Sequence, residues 1–291
     1  MQLPPLLKGH GTQNDFLVLP DLDGEFDLSP DLVRALCDRH AGIGADGVLR
    51  VVRTEVIPDF PPDAAGASYA MDYRNADGST SEMCGNGIRV FMRYLQFAGL
   101  AGTDMTIATR GGLRRVHGDP DGDLTAEMGV PAVLEVRPVV SARPLAPVTG
   151  LAVQVPNPHV VVTLGEAADL DVLDLSRAPS VEPALPAGQN VEFVVDRGPR
   201  HLAMRVHERG VGETRSCGTG ICAAVVARAV ANGAAAEGST WRVDVPGGSC
   251  SVRWRTDGEL ELTGPAILVA DVTAATEWLA ATNPVGGPCQ D

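Results

Sequence analysis

The sequence predicts an α/β fold made of two similar lobes, each a strand-rich sheet wrapped round one central helix. Three observations point to it. Short strand signals recur along the whole chain, separated by turn formers. Two segments, Ile88–Phe97 and Ile221–Ala231, are apolar on nearly every side, interrupted only by Arg89, Arg93 and Gln96 in one and by Arg228 in the other. A helix without a polar face belongs inside a lobe. Related phrases introduce the two segments, Met83-Cys-Gly-Asn-Gly-Ile88 and Ser216-Cys-Gly-Thr-Gly-Ile221. A weak repeat about half the chain apart argues for two similarly built halves.

In chain order, the strand signals are Phe16–Leu19, Gly47–Val52, Tyr69–Tyr73, Thr106–Thr109, Leu151–Val155, His159–Leu164, Val191–Val195, His201–Val206, Trp241–Val245, Cys250–Trp254 and Glu259–Leu262. Each is bounded by Gly, Pro, Asp or Asn. A first helix is expected over Pro30–His40, capped by Ser29 with Pro30 at its first position, and with Asp31, Arg34 and Asp38 on a solvated face. The stretches Pro58–Gly66 and Ala178–Gly188 are expected as long surface loops. Pro138–Gly150 is a candidate crossing between lobes, and the segment after Gly264-Pro265 should form a strand and a short helix.

A chain of 291 residues that is 44% apolar can bury a sizeable core. Its net charge of -14 works against nucleic acid or anionic membrane as partner. The N-terminus lacks the pattern of a signal peptide, and no apolar stretch approaches the roughly 20 residues of a membrane span. A soluble, cytoplasmic protein is therefore expected. Six cysteines are too sparse for a disulfide scaffold and would be thiols in a reducing compartment.

The two cysteine turns carry the chemistry. Glycines at the start of a helix let a ligand approach the backbone, and the amides there form an anion site suited to a carboxylate. A cysteine at the same end meets the positive end of the helix dipole, which favours thiolate. Two such turns, Cys84 and Cys217, suggest one carboxylate shared by two helix starts with a sulfur on each face of its carbon. One thiolate would remove the α-proton while the opposite thiol protonates the other face. A lone cysteine reads more simply as a small buried hydrophobe. A zinc site lacks its usual CxxC or CxH pairs, so no metal is expected. Cys37, Cys222, Cys250 and Cys289 have no comparable setting and read as structural or incidental.

With Asn14-Asp15-Phe16, Gly42-Ile-Gly-Ala-Asp-Gly47, Asn75-Ala-Asp-Gly-Ser79, Met83-Cys-Gly-Asn-Gly87, Asn157-Pro-His159, Asn190-Val-Glu-Phe193 and the run Glu208 to Gly220, the chain resembles the diaminopimelate epimerase family over about four-fifths of its length. The resemblance implies an active site in the cleft between lobes spanning 1–132 plus 265–291 and 133–264. It implies epimerisation of LL-2,6-diaminopimelate to the meso form for lysine and peptidoglycan synthesis, with no cofactor or metal, in a homodimer. Carried over to this chain, Cys84 and Cys217 are the acid/base pair, and the amides of Gly85, Asn86, Gly218 and Thr219 hold the reacting carboxylate. Glu208 pairs with a substrate amino group. Arg209, Asn75, Asn157 and Asn190 grip the distal end, a planar guanidinium suiting a carboxylate. Asn14 and His159 correspond to supporting polar residues.

Two positions depart from the family pattern: Gly47 stands where some members have Gln, and Pro156 where Gly is common. Two other readings stay open. A racemase of a smaller amino acid such as proline would leave Arg209 nothing to clamp. A dithiol redox or metal-responsive binding protein would instead join Cys84 and Cys217 in a disulfide or round an ion.

Overall fold

A computed structural model describes residues 3–57, 60–234 and 238–282. The fold is mixed α/β, rich in strands and poor in helices. The described residues divide into two compact units, those within 1–11, 15–116 and 266–291 forming one and those within 12–14 and 117–265 the other. Residues 117–132 thus go with the second unit rather than the first, because strand Leu124–Gly129 pairs antiparallel with Leu260–Gly264.

In the first unit, strand Leu6–Gly11 pairs antiparallel with Ile267–Val272, so the C-terminal segment does return here. Asn14–Pro20 runs parallel to Gly47–Arg53, which pairs antiparallel with Tyr69–Asn75. Against these strands lies helix Gly85–Phe97, burying Ile88, Val90, Phe91, Met92 and Leu95. The expected early helix spans Pro30–Cys37, and Ser29 Oγ accepts the Leu32 N–H as its cap. It stops short of His40 because the chain doubles back. The Ile43 and Gly44 amides donate to the Leu36 carbonyl, and a Cβ at Gly42 would lie 2.0 Å from the Ala35 oxygen.

The second unit wraps its strands round helix Gly218–Ala231, of whose residues only Arg228, Val230 and Ala231 escape full burial. Arg228 reaches out to pair with Asp196. Strands Leu151–Val155, Asn157–Thr163, Asn190–Gly198 and His201–Glu208 form one continuous run, with Asn157–Thr163 and Asn190–Gly198 parallel. Thr240–Val245 joins His201–Glu208 in parallel and leads to Gly248–Trp254 and Leu260–Gly264.

Two expectations fail here. Pro138–Gly150 is no crossing: its strands Val139–Ser141 and Val148–Thr149 pair with each other inside the second unit. Ala178–Gly188 is not a plain surface loop, because Ser180–Glu182 adds a third strand to that small sheet and Val181 and Leu185 are buried. The apolar residues of both segments close one side of a core that also holds Val160, Val162 and Phe193. Of Pro58–Gly66, residues 58–59 lie outside the described residues, and Pro62–Gly66 is a short 3-10 turn. Cys289 also lies outside them.

Candidate active site

Both cysteine turns have the local geometry that their sequences suggest. Cys84 and Cys217 are the N-cap residues of their helices, with extended backbones of φ -137, ψ 120 and φ -125, ψ 112. In each, the amide three residues on donates to the sulfur, Gly87 N–H to Cys84 Sγ at 3.3 Å and Gly220 N–H to Cys217 Sγ at 3.4 Å. The thiol thus takes the role that a serine hydroxyl usually plays at a helix start. Gly85 and Asn86, like Gly218 and Thr219, occupy the two positions ahead of that amide, where helix geometry aims N–H groups outward.

The surroundings differ. Cys84 is half-buried, and behind it Asn86 and the wholly buried Arg89 lock together, Nη2 donating to Asn86 Oδ1 at 2.9 Å and Nη1 to the Gly85 carbonyl at 3.0 Å. Asn86 therefore serves its own helix start through its side chain. Asn75, in the same unit, spends its amide on the following turn, donating to Ser79 Oγ at 3.0 Å. That bond is the turn role natural to an Asn-Ala-Asp-Gly sequence. Gly47 lies opposite Asn75 in the strand register, and a Cβ on it would sit 2.5 Å from the Arg74 oxygen. This backbone has no room for a larger residue there without moving.

In the second unit, Cys217 is buried, with Thr219 Oγ1 at 3.5 Å and Asn190 Nδ2 at 3.9 Å from its sulfur. Burial raises its pKa well above the usual 9.0, and the negative charges of Glu208 and Glu192 push it further, against the hydrogen bonds from Thr219 and Gly220. The lowered value expected from the helix dipole is not what this cysteine has. Desolvation of a thiolate outweighs one helix end. Cys217 rests as a thiol.

Asn190 also accepts the Arg209 amide at 2.9 Å, so it couples Cys217 to the Glu208-Arg209 corner. Glu208 accepts a hydrogen bond from Thr214, and the Arg209 guanidinium donates to the Ala187 carbonyl. Gly188 makes that crossing possible: at φ +71, a Cβ there would lie 2.8 Å from Arg209 Cδ. Asn157 opens its strand half-buried, next to the half-buried Pro156 and two residues before the wholly buried His159. Asn14 is buried at the end of the segment 12–14 that joins this unit.

Sequence reasoning assigned no role to Thr12, Ser216 or Glu192. Thr12 Oγ1 and Ser216 Oγ are 2.6 Å apart and buried, so the turn before Asn14 is pinned to the residue before Cys217. Thr12 and Gln13 hold left-handed φ values of 49 and 62, a strained pair for non-glycine residues. Glu192, fully buried, bonds His159 Nδ1 at 2.6 Å. A buried carboxylate inside an otherwise apolar strand was the signal available. Among the described residues, no three His, Cys, Asp or Glu side chains cluster as a metal ion would need, and no helix is long and apolar enough to cross a membrane.

A family model described as diaminopimelate epimerase matches residues 6–134 and 151–269. The chain belongs to the diaminopimelate epimerase family. It is 52% identical over 281 residues to the diaminopimelate epimerase of Streptomyces coelicolor, covering 94% of this chain and 96% of that protein. To the diaminopimelate epimerase of Thermobifida fusca it is 48% identical, covering 91% and 95%. Among solved structures, a hydroxyproline epimerase from Agrobacterium vitis superposes with a TM-score of 0.64 at 17% identity, over 95% of this chain and 94% of that one. That likeness extends the shared fold beyond the family. As a member of the diaminopimelate epimerase family, the protein is an isomerase of the racemase and epimerase class.

Proposed function

We propose that the protein interconverts LL- and meso-2,6-diaminopimelate without a cofactor, using Cys84 and Cys217 as an acid/base pair on opposite faces of one α-carbon. The observation that carries this reading is the matched pair of cysteine-capped helix starts, each with its sulfur held by the third amide of the helix. In a chain 52% identical to a named diaminopimelate epimerase, those turns supply both a carboxylate site and a proton-transfer group.

The amides of Gly85, Asn86, Gly218 and Thr219 hold the reacting carboxylate and stabilise charge that builds on it as the α-proton leaves. Because burial and neighbouring carboxylates keep Cys217 protonated, Cys217 is the donor in the resting form and Cys84 the base. One turnover exchanges their protonation states, so the reverse reaction starts from the opposite pattern. Glu208 takes the substrate amino group, while Arg209 with Asn75, Asn157 and Asn190 receives the distal amino-acid end, and Asn14 and His159 support them. Arg209 must release the Ala187 carbonyl to do this. The same reading has the enzyme act as a homodimer in the cytoplasm, in lysine and peptidoglycan precursor synthesis.

The test follows LL-diaminopimelate in heavy water by chiral chromatography and mass spectrometry. Meso product carrying one deuterium at the inverted α-carbon is expected. Turnover of proline with none of diaminopimelate would overturn the substrate assignment.

A further inference from the structure

We infer that Glu192 is a positioning residue for Cys217, which it serves by anchoring His159 and by holding a carboxylate against the glycine whose amide caps the Cys217 sulfur. The inference rests on the proton-transfer role proposed for Cys217. Three features of the second unit support it.

The first is register. His159 lies opposite Asn190 in the parallel strand pair, and Asn190 and Glu192, two residues apart, share a strand face. That face presents Asn190 Nδ2 to Cys217 Sγ and Glu192 to the first turn of helix Gly218–Ala231. The second is contact: a Cβ at Gly220 would lie only 2.6 Å from Glu192 Oε1, and Gly220 N–H is the donor to the sulfur. The glycine is what admits the carboxylate.

The third is an unfinished hydrogen-bond inventory. Glu192 Oε1 is 2.6 Å from His159 Nδ1, both side chains are fully buried, and Glu192 Oε2 and His159 Nε2 have no hydrogen-bond partner among the described residues. Orphaned buried polar atoms are costly and persist where function requires them. With Nδ1–H given to the carboxylate, the tautomer leaves His159 Nε2 as an acceptor. A purely structural position would be filled more cheaply by an apolar side chain, as it is at the fully buried Val194, two residues further along the same strand face.

The groups that face Cys217 are Glu192 and Asn190 from one strand, Glu208 from the next and Thr219 from its own turn. His207 precedes Glu208, and burial lowers its pKa, so it favours the neutral form. Negative charge therefore predominates at this sulfur. Glu192 acts alongside Glu208 in disfavouring the thiolate.

The test measures iodoacetamide labelling of both cysteines in the free, full-length protein as a function of pH, peptide by peptide, so that Cys84 serves as an internal control. In Glu192→Gln the Cys217 profile should move at least about half a pH unit down, roughly a threefold faster labelling at fixed pH, with Cys84 unmoved. Glu192→Asp, which keeps the charge, should return most of the shift. An unmoved Cys217 profile in a folded Glu192→Gln protein overturns the inference, as does an equal shift in the Asp variant. If Glu192→Gln does not fold, the parent decides: the Cys217 midpoint must lie above that of the same cysteine in urea, and a midpoint at or below it overturns the inference. None of these readouts needs turnover, so an enzyme inactive on diaminopimelate would refute the proposed function without touching this result.

Discussion

The Cys84 and Cys217 turns share a backbone conformation and a sulfur-to-amide bond, yet different groups surround them. Behind Cys84 a buried guanidinium, Arg89, is tied to the Gly85 carbonyl and to Asn86. Beside Cys217 lie two carboxylates, Glu192 and Glu208, and almost no solvent. A repeated motif thus reproduces geometry, while the lobe round it sets the charge. The two-base chemistry proposed for this pair would benefit from that difference, since it needs one sulfur protonated when the other is not.

The largest expected effects test whether the turns are equivalent in need. Cys84→Ser and Cys217→Ser should each lower the epimerisation rate by about 10²–10⁴-fold, the usual worth of a positioned acid or base. Retention of more than a tenth of the parent rate in either variant, by chiral chromatography, would mean that one cysteine suffices.

A second comparison concerns the glycines that donate to the sulfurs. Gly220→Ala drives a methyl into the carboxylate held beside it, whereas a Cβ at Gly87 meets Leu49 Cδ2 at 3.2 Å and Cys84 at 3.3 Å. We expect Gly220→Ala to cost about 1–3 kcal/mol by overpacking. Gly87→Ala should be closer to neutral, because alanine favours a helix over glycine by about 1 kcal/mol. Urea unfolding of both proteins measures the difference, and a costlier Gly87→Ala would reverse the ranking of the two sites.

The pH dependence of stability separates them further. A group whose pKa is raised on folding binds its proton more tightly in the folded state, so its contribution is complete below the unfolded pKa and is lost as pH rises. For Cys217 that loss begins near pH 9.0 and continues towards its folded value. Cys37, pushed up to about 12 by burial, acts in the same direction. Urea midpoints should therefore fall above pH 9, and Cys217→Ser should flatten the fall without abolishing it. A parent protein equally stable at pH 8 and pH 10.5 would contradict the burial of these thiols.

The smallest effect belongs to Thr219. Its hydroxyl lies 3.5 Å from Cys217 Sγ, and Thr219→Val should change kcat by about three- to tenfold, in line with one neutral hydrogen bond of about 0.5–1.5 kcal/mol. A change above a hundredfold would make Thr219 a larger part of the site than its contact implies.

What could be read in the chain followed from local rules. Ser29 and Pro30 mark a helix start because capping is a short-range bond, and Leu151–Val155 reads as a strand because its neighbours break it on both sides. The helix Gly218–Ala231 was legible because its apolar residues run nearly all the way round, whereas in Gly85–Phe97 Arg89, Arg93 and Gln96 line up along one side. Strands such as Leu6–Gly11 and Leu124–Gly129, with Lys8, Thr125 and Glu127 among their residues, gave no comparable signal and owe their state to distant partners at Ile267–Val272 and Leu260–Gly264.

The sequence by itself determined the helix starts, the two cysteine caps and the family, all of which depend on neighbours a few residues away. Only the tertiary structure decided that Thr12 meets Ser216, that Ala178–Gly188 helps close a core, and that Glu192 joins His159 beside Gly220. The protonation of Cys217 belongs with these, because desolvation and Coulomb energy depend on what lies around a sulfur in space, and residues 192 and 208 reach it only after the strands have paired.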